Sequence, residues 1–351
     1  MKKREQDFLR TSNRRLIFLS FLMILIPIVI LLGIIMGSTN IDILDVFAVI
    51  KGKITNEEID NISKSTITVI WDLRLPRVIL SLVVGGGLAV CGAAMQAVTQ
   101  NVLAEPYILG ISSGASAMVA FAYFLGIEKL ASGLTLNSFA FAGAFSSMVI
   151  VYIVGTVGGS TGGNRLILAG MSVSVILNAL TNFLISILPN DSSLKNVISW
   201  MWGSLASARW TNIFLPICIS LVGLFFFIAM SNSYNLISFG NETAVSMGVN
   251  YSYIVGSTLF IIAVMTGTFV SVCGLIGFIG FVIPHLVRLL IGAEYRKLFP
   301  CAYLLGAVFL CIMDILSRCI FAPREMAVGI FSAFIGGPLF VFLLLKKNRR
   351  P

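Results

Sequence analysis

The sequence predicts an all-α, polytopic membrane protein with about ten transmembrane helices, and three observations predict it. Of its 351 residues, 58% are hydrophobic and 11% charged, where soluble domains run roughly 45–50% and about 25%. The mean hydropathy is +0.98, so a soluble enzyme or a nucleic-acid-binding domain is excluded and the solvent is lipid. Apolar runs of about 20 residues, the length that crosses a bilayer, recur between charges and turn residues. Finally, ten of the 24 Lys and Arg residues sit at the two ends, and basic clusters beside apolar runs mark the cytoplasmic face.

The elements follow in order. The tail 1–15 carries Lys2, Lys3, Arg4, Arg10, Arg14 and Arg15. The apolar run from Leu16 to Met36 is too long for the core of a signal peptide, and no small-x-small cleavage site follows it. It is expected to stay as the first span, at 16–37. Ser38 to Asp72 is polar, with Glu57, Glu58 and Asp60 together, and is too short for a substrate domain. Further spans are expected at 78–98, 107–126, 138–157, 166–188, 211–230, 253–272, 275–291, 299–320 and 327–345. Tyr253 to Val287 is too long for one crossing, and Gly274, Gly277 and Gly280 supply the break. The tail 346–351 adds Lys346, Lys347, Arg349 and Arg350.

An even number of spans puts both tails on one side. That side then holds 14 Lys and Arg residues, the tails plus Arg165, Arg288, Arg296 and Lys297, against ten on the other. The expected placement is therefore multi-pass in the cell (cytoplasmic/inner) membrane, both termini cytoplasmic. The outer segment Pro189 to Trp210 carries Trp200, Trp202 and Trp210, which suit an interface. The whole chain, 1–351, reads as one transmembrane domain.

Chemistry-bearing residues are few. No stretch matches G-x-x-x-x-G-K-[ST], so ATP is not held by a P-loop here. The six cysteines lie in apolar stretches without C-x-x-C, and His285 stands alone, so neither disulfide nor metal site is indicated. Asp314 is the one acid inside a predicted span, and Arg318 follows at the spacing that shares a helix face. A structural pair is the expected role rather than a proton relay. Gly85, Ala89, Ala93 and Ala97 form a stripe of small residues for close helix packing, inside one bundle rather than along a dimer seam. Gly158 to Gly163 reads as a cytoplasmic turn and, in a transporter, as a gate at Ser160 and Thr161.

Five runs in order resemble the FecCD-type permeases, the BtuC-like membrane subunits of ABC importers for iron–siderophore complexes, haem and cobalamin. They are RLPRVILSLVVGGGLAVCGAAMQAVTQNVLAEPYILGISSGA (74–115), WMWGSLASARW (200–210), NLISFGNETAVSMGV (235–249), GLIGFIGFVIPHLVRLLIGAEYRKLFP (274–300) and EMAVGIFSAFIGGPLF (325–340). Val102 stands where that family usually has proline, Gln100 where a basic residue is common, and Ala327 where proline is usual.

The resemblance implies a BtuC-like importer fold and a transport subunit rather than an enzyme, most often for ferric siderophore, with haem or cobalamin as alternatives. It implies a second permease copy or a homologous permease, two cytoplasmic ATPases that bind ATP and Mg, and an extracytoplasmic substrate-binding protein. No cofactor is implied in this chain. Arg74, Arg77 and Arg318 would meet acids of the binding protein, a role that suits arginine's planar fork. The segment 231–252 would couple to an ATPase through Ser238, Gly240, Glu242, Thr243, Ala244 and Gly248, with Glu242 and Thr243 capping its second helix. Gln96, Pro106, Gly110, Pro284, His285, Arg288, Glu325 and Gly329 fall on motif positions. The competing class is an ion-coupled secondary transporter, for which Asp314 would be the working acid.

Overall fold

The computed structural model describes residues 2–37, 39, 41–57, 62–127, 133–157 and 163–347. Among them every regular element is helical. In chain order these are α1 (Lys2–Ile35), α2 (Ile43–Thr55), α3 (Lys64–Thr68), α4 (Leu75–Val98), α5 (Ile111–Phe124), α6 (Gly133–Thr156), α7 (Gly163–Ser186) and α8 (Asp191–Met201). They continue with α9 (Trp210–Ala229), α10 (Ser231–Ile237), α11 (Asn241–Ser246), α12 (Tyr251–Cys273), α13 (Ile279–Ile291), α14 (Tyr295–Cys319) and α15 (Val328–Lys347).

Seven helices are long and apolar enough to cross a bilayer, and the apolar helices α5, α13 and α15 are shorter. Together they match the ten expected spans in position. What hydropathy alone did not reveal is the structure of two segments between spans: α2 and α8 are amphipathic helices. The Asp42 side chain accepts the Leu44 N–H to start α2, and Asn190 accepts the Ser193 N–H to start α8. Both satisfy otherwise orphaned donors of a first turn.

The α4 helix is central, packed by α14, α13, α9 and α12. Its small stripe makes this possible. A Cβ at Gly85 would sit 2.3 Å from the Gly306 carbonyl oxygen, and one at Gly306 would sit 2.6 Å from the Ala89 Cβ. The backbones of α4 and α14 therefore touch inside one chain, as expected from the stripe. A second layer of α5, α6 and α7 joins this core through the α6–α12 contact. The outward faces stay apolar: Leu168, Val175, Ile176 and Phe183 on α7, Phe214 and Phe225 on α9, and Phe334 and Phe342 on α15 are all exposed. Water would not tolerate that surface, and lipid does.

Just before α4 the helix widens over Val69–Arg74, where the Leu75 N–H reaches the Ile70 carbonyl five residues back. Such single π turns often sit at functional places. This one carries Arg74 at its end and precedes Arg77.

Candidate functional site

Two polar clusters stand out, one at each end of the bundle. At the first, α1 ends beside the π turn, leaving its last carbonyls without intrahelical donors. Arg74 supplies them: Nη1 donates to the Ile34 and Ile35 carbonyls, each at 2.7 Å, and Nη2 to the Thr39 carbonyl at 2.7 Å and its hydroxyl at 2.9 Å. Arg318 donates from Nη2 to the Gly33 carbonyl at 3.0 Å and from Nη1 to the Met36 carbonyl at 3.3 Å. Both cations also suit the negative end of the helix dipole. Gly37 leaves room for this guanidinium, since a Cβ would lie 2.6 Å from Arg74 Nη2 and push it aside.

Asp314 is fully buried and faces two arginines. Arg77 Nε donates to Oδ1 at 2.9 Å. Arg318 Nη2 lies 3.1 Å from Oδ2, an ion pair without hydrogen-bond alignment. Arg77 also donates from Nη1 to Glu325 Oε2 at 2.7 Å. The expected Asp314–Arg318 pair is thus present, joined by a third member. Arg74, Arg77 and Arg318 do come together, lining a cavity of about 260 Å³ with Arg209, Thr39 and Glu325. Four arginines against two carboxylates leave it positive, a field that draws acidic groups. Arg74 and Arg318 nevertheless spend donors on α1, and among the four only Arg209 is exposed.

At the opposite end lies the expected coupling segment, with α10 and α11 separated by Gly240 at φ 113° and followed by Gly248 at φ 87°. Gly240 is the N-cap of α11, and no side chain caps that helix. The expected capping by Glu242 and Thr243 is therefore corrected: both lie inside the first turn, where only Glu242 gains from the helix dipole. Ile237, Ala244 and Tyr234 are buried. The Tyr234 and Thr258 hydroxyls hydrogen-bond at 2.6 Å, and burial pushes the Tyr234 phenol up. Ser238 turns back to the Asn235 carbonyl at 2.6 Å. Asn235 Oδ1 accepts the Tyr295 N–H at 2.9 Å, fastening α10 to the start of α14. Facing outward are Phe239, Val245 and Met247, all more than half exposed.

Of the motif positions, Gln96 and Arg288 lie at this base, while Glu325 belongs to the arginine cluster at the other end. Arg288 donates to Gln96 Oε1 and lies 5.8 Å from the Tyr295 ring centroid, a favourable cation–π distance. Gln96, Gln100, Ser238, Gly240, Arg288 and Tyr295 line a cavity of about 460 Å³. Pro106 opens a short 3-10 turn that ends at Gly110, whose φ of 83° precedes α5. Pro284 and His285 lie within α13, the proline buried and the histidine half-buried. Gly329 admits the Trp202 and Leu275 carbonyls, which a Cβ would meet at 2.2 and 2.6 Å. Ser160 and Thr161 lie outside the described residues.

Among the described residues no group of His, Cys, Asp and Glu could hold a metal ion. Sequence reasoning missed the Arg77 pairs, which span 237 and 248 positions and leave no local spacing to read. It also missed Phe239, Val245 and Met247, whose exposure needs the fold.

Known proteins give a consistent comparison. The model of the FecCD transport family matches residues 24–346. The Fe(3+)-citrate import system permease protein YfmD of Bacillus subtilis is 38% identical over 79% of this chain and 81% of its own length. The hemin transport system permease protein HmuU of Yersinia pestis is 35% identical over 95% and 97%. A solved structure described as an inward-facing conformation of a metal-chelate type ABC transporter superposes with TM-score 0.80 at 27% identity. It covers 95% of this chain and 99% of its own.

Proposed function

The chain belongs to the FecCD transport family, and from that premise we propose that it moves ferric siderophores, with haem and cobalamin as the alternatives. It is the multi-pass permease of an ABC importer and not itself an enzyme. One feature supports iron: two of the relatives just described are named for import of ferric citrate and of hemin.

The observation that carries the mechanism is the α10–α11 segment. It is fastened to the stretch after α4, to α12 and to α14 yet presents Phe239, Val245 and Met247 outward. A rigid base with exposed apolar anchors is what a partner's groove requires. A separate ATPase takes these anchors, binds ATP and Mg, and on closing pushes the segment. The bundle then exchanges outward-open for inward-open access between two permease subunits, a second copy or a related chain. The segment lies on the cytoplasmic side, with both termini.

At the outer end the arginine-lined cavity receives an acidic side chain of the binding protein. Arg209 is its exposed arginine, while the buried Arg74, Arg77 and Arg318 add charge, Arg74 and Arg318 also holding α1. The doubly paired Asp314 is a structural anchor, which speaks against ion coupling. Co-purification of the ATPase tests the assignment: replacing Phe239 and Met247 by aspartate should release it, and full retention would overturn the coupling role.

A further inference from the structure

Residues 99–106 leave the end of α4 as a short irregular stretch, and both of its ends are tied to other elements. At one end Gln100 Nε2 donates to the Ile237 carbonyl at 2.7 Å and to Asn241 Oδ1 at 3.0 Å, bridging the junction of α10 and α11. At the other, Glu105 Oε1 accepts the Phe278 N–H at 2.9 Å. Between them the Leu103 N–H bonds Asn101 Oδ1 at 2.8 Å and the Ala104 N–H bonds the Asn101 carbonyl at 3.1 Å. The stretch is therefore internally braced rather than slack.

Its partner is the Gly274–Phe278 break between α12 and α13, which lies against α15 at two levels. The Leu275 carbonyl approaches Gly329, where a Cβ would meet it at 2.6 Å, and the Phe278 Cβ approaches Gly336, where a Cβ would meet it at 2.7 Å. One turn on, the Phe281 and Phe340 rings have centroids 4.0 Å apart. Tyr107 adds a second hold, its hydroxyl accepting the Ile276 N–H at 3.3 Å.

The backbone marks the same two points. Among the described residues three non-glycines have positive φ, and two of them are Gln100 (51°) and Phe278 (70°). An aromatic residue there is an outlier that persists only when its surroundings hold it. Here the Glu105 carboxylate holds it, on the N-cap residue of α13.

We infer that residues 99–106 form a strut that carries displacement of the α10–α11 segment to the Gly274–Phe278 break and α15. Gln100 and Glu105 are its positioning residues. The inference rests on the reading of α10–α11 as the ATPase contact. Glu105 works as a hydrogen-bond acceptor, so glutamine can replace it and alanine cannot. Pulling on its carboxylate releases the Phe278 N–H and lets Phe278 leave the left-handed region, a discrete two-state event of the kind coupling needs.

The test is hydrogen–deuterium exchange on the purified permease–ATPase complex, with and without ATP and vanadate, which requires no knowledge of the cargo. In the unmodified protein, nucleotide should change exchange in 231–252, 274–281 and 328–340, by at least about threefold for the last. Glu105→Ala should keep the ATPase and the response of 231–252 but lose that of 328–340, and Glu105→Gln should restore it. Gln100→Ala cuts the other end and should give the same loss, which keeps the strut testable if Glu105→Ala does not assemble. An unchanged response of 328–340 in Glu105→Ala or Gln100→Ala, or Glu105→Gln failing like alanine, overturns the strut. No nucleotide-dependent change of exchange in 231–252 in the unmodified complex would instead remove the reading beneath it.

Discussion

Arg77 and Asp314 close a buried ion pair at 2.9 Å across the α4–α14 interface. Asp314 has no exposure, and it answers Arg318 on its other side. Buried charges are costly to strand, because removing one partner leaves the other without water or counter-charge.

Replacing Asp314 by alanine should therefore cost about 3–5 kcal/mol, since it leaves the buried Arg318 without its carboxylate and Arg77 with Glu325 alone. Thermal unfolding of the detergent-purified protein would show it as a large drop in Tm. A change of under about 1 kcal/mol, a typical surface effect, would mean that the cluster is hydrated.

Arg74 and Arg209 should separate in behaviour although they line the same cavity. Arg74→Ala removes four hydrogen bonds to the end of α1 and Thr39. It should lower Tm, since hydrogen bonds to charged groups are each worth about 1.5–3 kcal/mol. Arg209→Glu at the exposed rim, which loses only the Nη1 bonds to the Ala206 and Ala208 carbonyls, should lower Tm less and weaken stimulation of the ATPase by the binding protein. Stimulation that is normal in Arg209→Glu, at low and high salt alike, would contradict the docking role.

Gly85→Leu should break the bundle, because even a Cβ meets the Gly306 carbonyl oxygen at 2.3 Å. Overpacking typically costs 1–3 kcal/mol, and against backbone the cost should reach at least about 3 kcal/mol. Expression followed by size-exclusion chromatography would report it as loss of the monodisperse peak.

Phe239→Asp with Met247→Asp should reduce ATPase co-purification by at least about tenfold, the equivalent of 1.4 kcal/mol and modest for two interface anchors. Thermal stability should not fall, since both side chains already face outward.

Much of this was legible before any coordinates. Ten spans follow from run length, the α4 stripe from fourfold spacing, and the Asp314–Arg318 pair from i,i+4 geometry. The break at Gly274 to Gly280 follows from the length of an uncharged run. The rest depended on contacts between distant segments. Arg77 meets partners 237 and 248 positions away, and Arg74 serves the end of another helix. Glu105 sits in a loop whose partner, Phe278, is a backbone amide that no residue type announces. The helices α2 and α8 escaped because a search for runs long enough to span passes over short amphipathic segments.

Uptake of radiolabelled iron tests the central claim most directly, with iron presented on catecholate, hydroxamate and carboxylate siderophores and as haem. Cells with and without this chain would be compared, each with the partner ATPase intact or catalytically dead. The expected result is loss of one iron source without the chain, restored only when the ATPase is active. Uptake that continues with the dead ATPase and stops in Asp314→Asn would contradict it, and would make this protein an ion-coupled transporter instead.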